Sequence, residues 1–429
     1  MDQPLYIVDG VRTPFCKAGS GLARESAADL GTKAVKHLLA RTGADPGCLG
    51  QVVVGCVGQP AGDANIARVI ALRAGVPPQV PAVTVHRNCA SGLEVLTHAQ
   101  QMAASGRGEV FLVAATESMS QYPLLYRPAT AGKMLKLSRA RGPLDRARSL
   151  AAFRLRDFRP DAALRLGLTD PTCGLNMGQT AENLAREFGI SRESQDRYSL
   201  HSHRRAVAAR GRLREEVFPV YPDSANGAPV LVDNDNGPRE AQSVEALAGL
   251  RPVFEPLRGT VTAGNASQVT DGAVALLVMT ADACEKYGQL PLGRLVDYAY
   301  VGCDARRMGL GPVYAMHAVG LRTGLDLEDA DLVEVNEAFA AQVIAVAKAC
   351  RSESFCRDEL KRKRPLGRIP SSKLNVNGGA IALGHPVGAT GSRLVLTTLK
   401  ELQRRKLKRG LVSLCVGGGQ GAAAWLEVA

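Results

Sequence analysis

Residues 4 to 15, PLYIVDGVRTPF, alternate apolar and polar positions, the period of two that marks a strand with unlike faces. Further on, AADLGTKAVKHLLA at 27–40 changes to helical spacing, and RTGADPGCLGQVVVG at 41–55 returns to an apolar alternation. The same succession recurs late in the chain. GPVYAMHAVGL at 311–321 is helical, and RTGLDLEDADLVEVN at 322–336 matches the earlier segment in register: Arg-Thr-Gly, an Asp two residues on, then an alternation. Both halves also end alike. CASGLEVLTHAQQMAASGRGEVFLVAAT from Cys89 and GATGSRLVLTTLKELQRRKLKRGLVSLCV from Gly388 each give a small-residue entry, a helix and a strand. A repeat of this length is a duplicated structural unit. Strands alternating with helices in both copies predict two α/β units with parallel or mixed sheets.

The echo disappears between about Gln121 and Leu250. That stretch holds a helical pattern, TAENLAREFGISRESQDRYSLHSHRRAVAARG, and a Pro/Asn/Asp-rich loop around VYPDSANGAPVLVDNDNGP. Three parts are therefore expected: an N-terminal half at 1–120 completed by about 251–280, an inserted loop lobe at 121–250 that is basic and partly helical, and a C-terminal half at 281–429. No apolar run approaches the roughly eighteen residues a membrane span needs. The first residues carry no secretory pattern either, so the expected location is cytoplasmic.

With 429 residues, 45% of them apolar, the chain can bury a large core. Its net charge of +12 is uneven, because residues 131 to 167 hold ten Lys or Arg against three Asp. In that window Leu144, Ala147, Ala151, Leu155 and Phe158 fall at helical spacing among Arg146, Arg148, Arg154, Arg156 and Arg159. This is the pattern of a basic amphipathic helix, either solvated over an active-site mouth or resting on a membrane. Nucleic acid is excluded, since only Phe153 and Phe158 offer stacking faces and no recognition fold accompanies them.

Two glycine-rich stretches invite a nucleotide reading and fail it. Gly379 and Gly384 have P-loop spacing, but His385 and Pro386 follow where Lys and Ser/Thr are required. Gly417, Gly419 and Ala422 fit a dinucleotide fingerprint, yet the chain ends before a helix and second strand can form. What such glycines do permit is close backbone approach. Ten cysteines stand scattered with no C-x-x-C pair, which disfavours zinc and a disulfide framework. Cys16, Cys48, Cys56, Cys173, Cys284, Cys303, Cys350 and Cys356 are read as structural. Cys89 differs, because it opens a helix whose unpaired N–H groups and dipole favour a thiolate and supply an oxyanion site. If the halves pack about a pseudo-twofold, Cys89, His385 and Cys415 meet in one cleft.

These residues also carry a resemblance. The chain is similar to the thiolases through Cys89-Ala90-Ser91, Asn336-Glu337-Ala338-Phe339, Gly384-His385-Pro386 and Cys415-Val416-Gly417, in that order, with MGQTAEN at 177–183 and GTVTAGNASQVTDGA at 259–273 where that family lines its coenzyme A site. The resemblance implies a duplicated five-layer αβαβα fold with an inserted lobe, and an acetyl-CoA C-acyltransferase. Cys89 would attack a 3-oxoacyl-CoA with His385 assisting its ionisation, and Cys415 would be acid and base. Asn336 would hold a water beside His385, the N–H groups of Cys89 and Gly417 would receive the oxyanion, and Ser267, Met177 and Asn176 would bind substrate. It further implies no metal or cofactor, coenzyme A and acyl-CoA as substrates, and a homodimer or dimer of dimers.

Length, GLTDPTCGLNMGQTAEN and the insert ESFCRDELKRKRPLGRIPSSKLNVNGG resemble the thiolase chain of fatty-acid oxidation complexes, which implies β-oxidation and a hydratase/dehydrogenase partner chain. Asn336 stands where those chains often carry His, which counts against the partner. Asn176 stands where biosynthetic acetoacetyl-CoA thiolases carry His, which counts against a chain dedicated to condensing two acetyl-CoA. The same fold could also serve a decarboxylating or carrier-dependent condensing enzyme, or a non-catalytic scaffold or lipid-binding protein.

Overall fold

The computed structural model describes residues 4–223 and 230–428, so part of the Pro/Asn/Asp-rich loop expected near 220–238 lies outside the described residues. In chain order the elements that build the framework are β1 (Leu5–Arg12), α1 (Ala27–Thr42), β2 (Gln51–Gly55), α2 (Ile66–Arg73), β3 (Ala82–Val85), α3 (Ser91–Ala104) and β4 (Val110–Ser118). The lobe follows with α4 (Pro128–Ser138) and α5 (Pro143–Ala151), then α6 (Met177–Glu187) and α7 (Arg192–Leu213). The chain continues through β5 (Thr270–Thr280), β6 (Gly293–Gly302), α8 (Gly311–Thr323), β7 (Leu332–Val335), α9 (Ala340–Arg351), α10 (Thr390–Arg405), β8 (Arg409–Val416) and β9 (Gln420–Glu427).

The strands form one mixed sheet in the order β7-β8-β9-β6-β1-β5-β4-β2-β3, with Cys16–Lys17 added beside β5. Its centre is the antiparallel pair β1/β6, joined from Leu5↔Leu295 to Ile7↔Gly293. Outward from that pair the two sides repeat each other. β1/β5 and β6/β9 are antiparallel, as are β5/β4 and β9/β8, and β4/β2 and β8/β7 are parallel. Even β3, parallel to β2, has a counterpart in the parallel bridge Val333↔Leu374 beside β7. The two units expected from the echo are thus halves of a single hydrogen-bonded sheet. The Arg-Thr-Gly echo marks equivalent helix ends: Gly43 closes α1 at φ 62° and Gly324 closes α8 at φ 72°. A Cβ there would clash with the following carbonyl, which is why glycine stands at both.

Every position of β4 and β5 is buried, because both faces of the sheet are covered. Alternate residues serve different layers. Leu112 and Ala114 pack outward under α1 and α2, while Phe111 and Val113 pack inward against α3 and α10. In the other half Val412 and Leu414 face the same inner helices, and Leu411 faces α8 and α9. Five layers result, helix, sheet, helix, sheet, helix, with α3 and α10 in the middle. The inserted region divides in its packing: Leu184, Ala185 and Ile190 belong to the outer core of the C-terminal half, whereas α4 and α5 stand outside the core clusters.

One expectation of the sequence is corrected. The amphipathic helix drawn through Leu144 to Phe158 stops at Ala151, and a single 3-10 turn follows at Leu155–Phe158. Buried Asp157 is the cause: it accepts the Arg154 N–H (2.8 Å), the Lys133 ammonium (2.6 Å) and the Thr130 hydroxyl (3.2 Å), folding the chain back on α4. Among the described residues no helix is long and apolar enough to cross a membrane.

Candidate active site

The middle layer decides the geometry. α3 and α10, equivalent in the two halves, cross at their first turns with backbone against backbone. A Cβ at Gly92 would lie 2.7 Å from the Ser392 nitrogen, and one at Gly391 would lie 2.4 Å from that of Leu93. The Ser392 hydroxyl donates to the Gly92 carbonyl (2.6 Å) across the crossing. The residues just before each helix are therefore brought together: Cys89 ahead of α3, His385 ahead of α10.

Cys89 hangs on a strained turn. Asn88 adopts φ 43°, a left-handed conformation uncommon for a residue with a side chain and typical of sites that need exact placement of a neighbour. Ser91 holds the turn, its hydroxyl accepting from the Arg87 N–H (2.9 Å) and donating to the Asn88 carbonyl (2.7 Å). The Asn88 amide donates to the Gly417 carbonyl (2.8 Å), tying the turn to the end of β8. No side chain caps α3. Burial pushes the half-buried Cys89 thiol up to about 11, and the buried Glu117 adds to this, against the opposing effect of the Gly417 and Cys89 N–H groups on the sulfur.

His385 is buried, with Nδ1 2.6 Å from the Thr390 hydroxyl, which donates in turn to the Pro386 carbonyl (3.1 Å). That order makes Nδ1 the protonated nitrogen and leaves Nε2 an acceptor, 3.3 Å from the Asn336 amide nitrogen. Burial, with a contribution from Arg393, lowers His385 to about 3, so the ring is neutral. Asn336 lies ahead of α9, which starts after Phe339. It lies behind the imidazole with its Oδ1 unpartnered, an acceptor suited to a water. Glu337 is buried. It accepts from Tyr198 (2.9 Å), Ser202 (2.6 Å), Asn375 (3.0 Å) and the Ile381 N–H (3.2 Å), joining α7 to the segment that leads into His385. Cys415, near the end of β8, is buried; burial first and neighbouring Cys89 second hold its thiol above the usual range.

Cys89, His385 and Cys415 line a single chamber of about 160 Å³, walled by Phe254 and Phe339 edge to face. Ser267, Met177 and Asn176 line it too. The Asn176 side chain is committed to capping α6, accepting from the Gln179 N–H (2.9 Å), and the Ser267 N–H is held by the Ala338 carbonyl (2.9 Å). Gly417 lines a second cavity of about 460 Å³, which Cys89 also lines. Among the described residues no cluster of three His, Cys, Asp or Glu could hold a metal.

Sequence reasoning did not single out Asn88, Thr390 or Glu117. The last is buried at the end of β4 and accepts hydrogen bonds from Gly58 (2.7 Å), Val57 (3.1 Å), the Tyr122 hydroxyl (2.9 Å), the Cys56 thiol (4.0 Å) and, in the other half, Gly388 (3.0 Å) three residues past His385. Its signal was an acid closing the run VFLVAATES, whose nine positions are all buried.

Comparison with known proteins follows the same outline. Residues 5–282 match the thiolase N-terminal domain and residues 289–428 the thiolase C-terminal domain. An acetyl-CoA acetyltransferase of Chromobacterium violaceum is 39% identical over 424 residues, covering 98% of each chain. A 3-ketoacyl-CoA thiolase of Yersinia enterocolitica is 38% identical over 427 residues, covering 99% of this chain and 97% of its own. The human mitochondrial 3-ketoacyl-CoA thiolase structure superposes with a TM-score of 0.85 at 37% identity over 99% of both chains, and its complex with CoA gives 0.84.

Proposed function

The chain belongs to the thiolase family and is an acyltransferase, and on that premise we propose that it cleaves 3-oxoacyl-CoA with coenzyme A, using Cys89 as nucleophile, His385 as its base and Cys415 as acid and base. The observation that carries the assignment is the meeting of two thiols and one acceptor imidazole in one chamber. His385 Nε2 takes the Cys89 proton as the sulfur bonds to C3 of the substrate. The carbonyl electrons move to oxygen, where the N–H groups of Cys89 and Gly417 receive them; one such donor is worth about 10²–10³ in rate. Collapse breaks the C2–C3 bond and leaves the enolate of acetyl-CoA, which Cys415 protonates at C2. The incoming coenzyme A gives its thiol proton to the Cys415 thiolate and attacks the acyl group. Cys89 departs and recovers its proton from His385, and every proton is back in place.

Burial sets the roles. A Cys415 thiol kept above its usual range stays protonated until a carbanion demands the proton, and two thiolates never face each other in one dry chamber. An imidazole held neutral is ready to accept from Cys89. Purified protein should release acetyl-CoA from a 3-oxoacyl-CoA plus coenzyme A. Cys89→Ser should lose this activity by several orders of magnitude. Cys415→Ser should lose turnover yet still take up one acyl group per chain on Cys89; undiminished turnover in Cys415→Ser would favour a decarboxylating condensing enzyme.

A second reading concerns the lobe. Of the ten basic residues between 131 and 167 only Lys133 and Arg165 pair with an acid, Asp157 and Asp161, which leaves eight without an ion pair among the described residues. Leu144, Leu150, Leu155 and Phe158 stand exposed among them. This surface favours contact with an anionic membrane.

A further inference from the structure

Cys89 lines two cavities. The inner chamber, with Cys415 and His385, is about 160 Å³; the outer one is about 460 Å³, within the range of pockets that enclose a whole small ligand. Cys89, Met119, Leu168, Met177 and Val387 line both, so an acyl group bonded to the sulfur has open space in a cavity that neither Cys415 nor His385 lines. A chamber of 160 Å³ that must hold the thioester being cleaved leaves little volume for a tail.

The outer walls are largely apolar. Val57, Tyr122, Leu164, Leu166 and Pro171 line the cavity. Most of the polar groups beside them are engaged elsewhere. The Asn88 amide is bonded to the Gly417 carbonyl, the Tyr122 hydroxyl to Glu117, and Asp170 Oδ1 to the Thr172 N–H (2.7 Å), the Thr172 hydroxyl (2.6 Å) and the Cys173 N–H (3.1 Å), with Oδ2 buried and unpartnered. Leu166 is nearly half exposed, apolar surface that a bound alkyl chain would cover.

We propose that the outer cavity holds the acyl tail, so that the substrates are medium-chain 3-oxoacyl-CoA thioesters and not acetoacetyl-CoA alone, with Leu164, Leu166 and Gly167 at the end of the lobe setting the length limit. The proposal rests on the thiolysis reading of Cys89. Gly167 supplies the test, since it lines the cavity and a Cβ there meets nothing within 4 Å.

Two measurements separate this proposal from its parent. By calorimetry, which needs no turnover, wild-type protein binds octanoyl-CoA more tightly than acetyl-CoA, and Gly167→Trp removes the difference. In thiolysis, kcat/KM rises about fourfold per added methylene beyond acetoacetyl-CoA, the equivalent of about 0.8 kcal/mol, until the cavity is full. Gly167→Trp flattens that rise, and Leu164→Trp does so if Gly167→Trp does not fold. Equal binding of octanoyl-CoA and acetyl-CoA by the wild type, or a rate that falls with chain length, overturns the proposal with thiolase activity intact. Absent thiolysis with chain-length-dependent binding retained overturns the parent reading alone.

Discussion

At the residue scale the central question is who holds the proton before substrate arrives. Burial moves Cys89 up to about 11 and His385 down to about 3, so between those values the free protein holds a thiol beside a neutral imidazole and not a thiolate–imidazolium pair. The sign is the same for both groups, because desolvation penalises whichever form is charged. Alkylation of Cys89 by iodoacetamide should therefore accelerate nearly tenfold per pH unit from about pH 7 to about pH 10, following the small thiolate fraction. A rate that levels off below about pH 8 would mean a preformed ion pair and would sink this account. The meeting of Cys89, His385 and Cys415 in one chamber was legible in the sequence because each stands in a short block of small residues. Their supports were not. Thr390, which fixes the tautomer of His385, and Glu117, which accepts from both halves, carry no local pattern; their partners lie five residues away in one case and from five to 271 in the other. Asn88 illustrates a third kind of silence: nothing in its letter announces φ 43°.

At the scale of elements, the active site follows from the α3/α10 crossing more than from any loop. Both helices start against one another because Gly92 and Gly391 let the backbones touch. Gly391→Ala would drive a Cβ to 2.4 Å from the Leu93 nitrogen and 2.8 Å from the Gly92 carbonyl carbon, atoms that cannot yield without moving a helix. The variant should lose about 1–3 kcal/mol of stability, as overpacked cores do. Because it also parts Cys89 from His385, turnover should drop by up to about 10²-fold, the usual cost of a displacement near 1 Å. Urea unfolding with a thiolysis assay checks both, and a wild-type midpoint together with wild-type turnover would show that the crossing has slack. The equivalence of the helices was readable from the echo at Cys89 and Gly388, and the close approach of glycine backbones was anticipated in general terms. That the halves share one sheet was not, since the β1/β6 pairing joins Leu5 to Leu295, strands far apart in the chain whose alternation says nothing of their neighbours. The lobe helix was misread because periodicity cannot see Asp157, whose three hydrogen bonds break the run at Arg154.

For the whole molecule, charge and exposure are distributed so that one region stands apart. The sheet and its helices bury most of their apolar residues in continuous cores, Leu72 and Leu321 excepted, whereas the lobe gathers several exposed ones, with Leu144 76% and Leu155 93% exposed beside Arg154 and Arg156. A monomer gains nothing from such residues in water, and the unpaired cations around them repel one another. Against an anionic lipid surface both costs reverse: the leucines find apolar surroundings, and each cation contributes about 1 kcal/mol near the headgroups. The lobe also leads into Leu164 and Leu166 on the outer cavity, so a docked lobe would place the acyl entrance near the bilayer. Binding to phosphatidylserine vesicles should weaken steeply between low and physiological salt, since the attraction is screened over about 8–10 Å. Arg154→Glu with Arg156→Glu should weaken it by roughly 10²-fold or more, from the loss of about 2 kcal/mol and the added repulsion. Thiolysis of a soluble short-chain substrate should be unaffected, because neither arginine lines either cavity. Binding indifferent to both salt and charge reversal would show that the leucines serve another purpose, such as contact with a second protein chain.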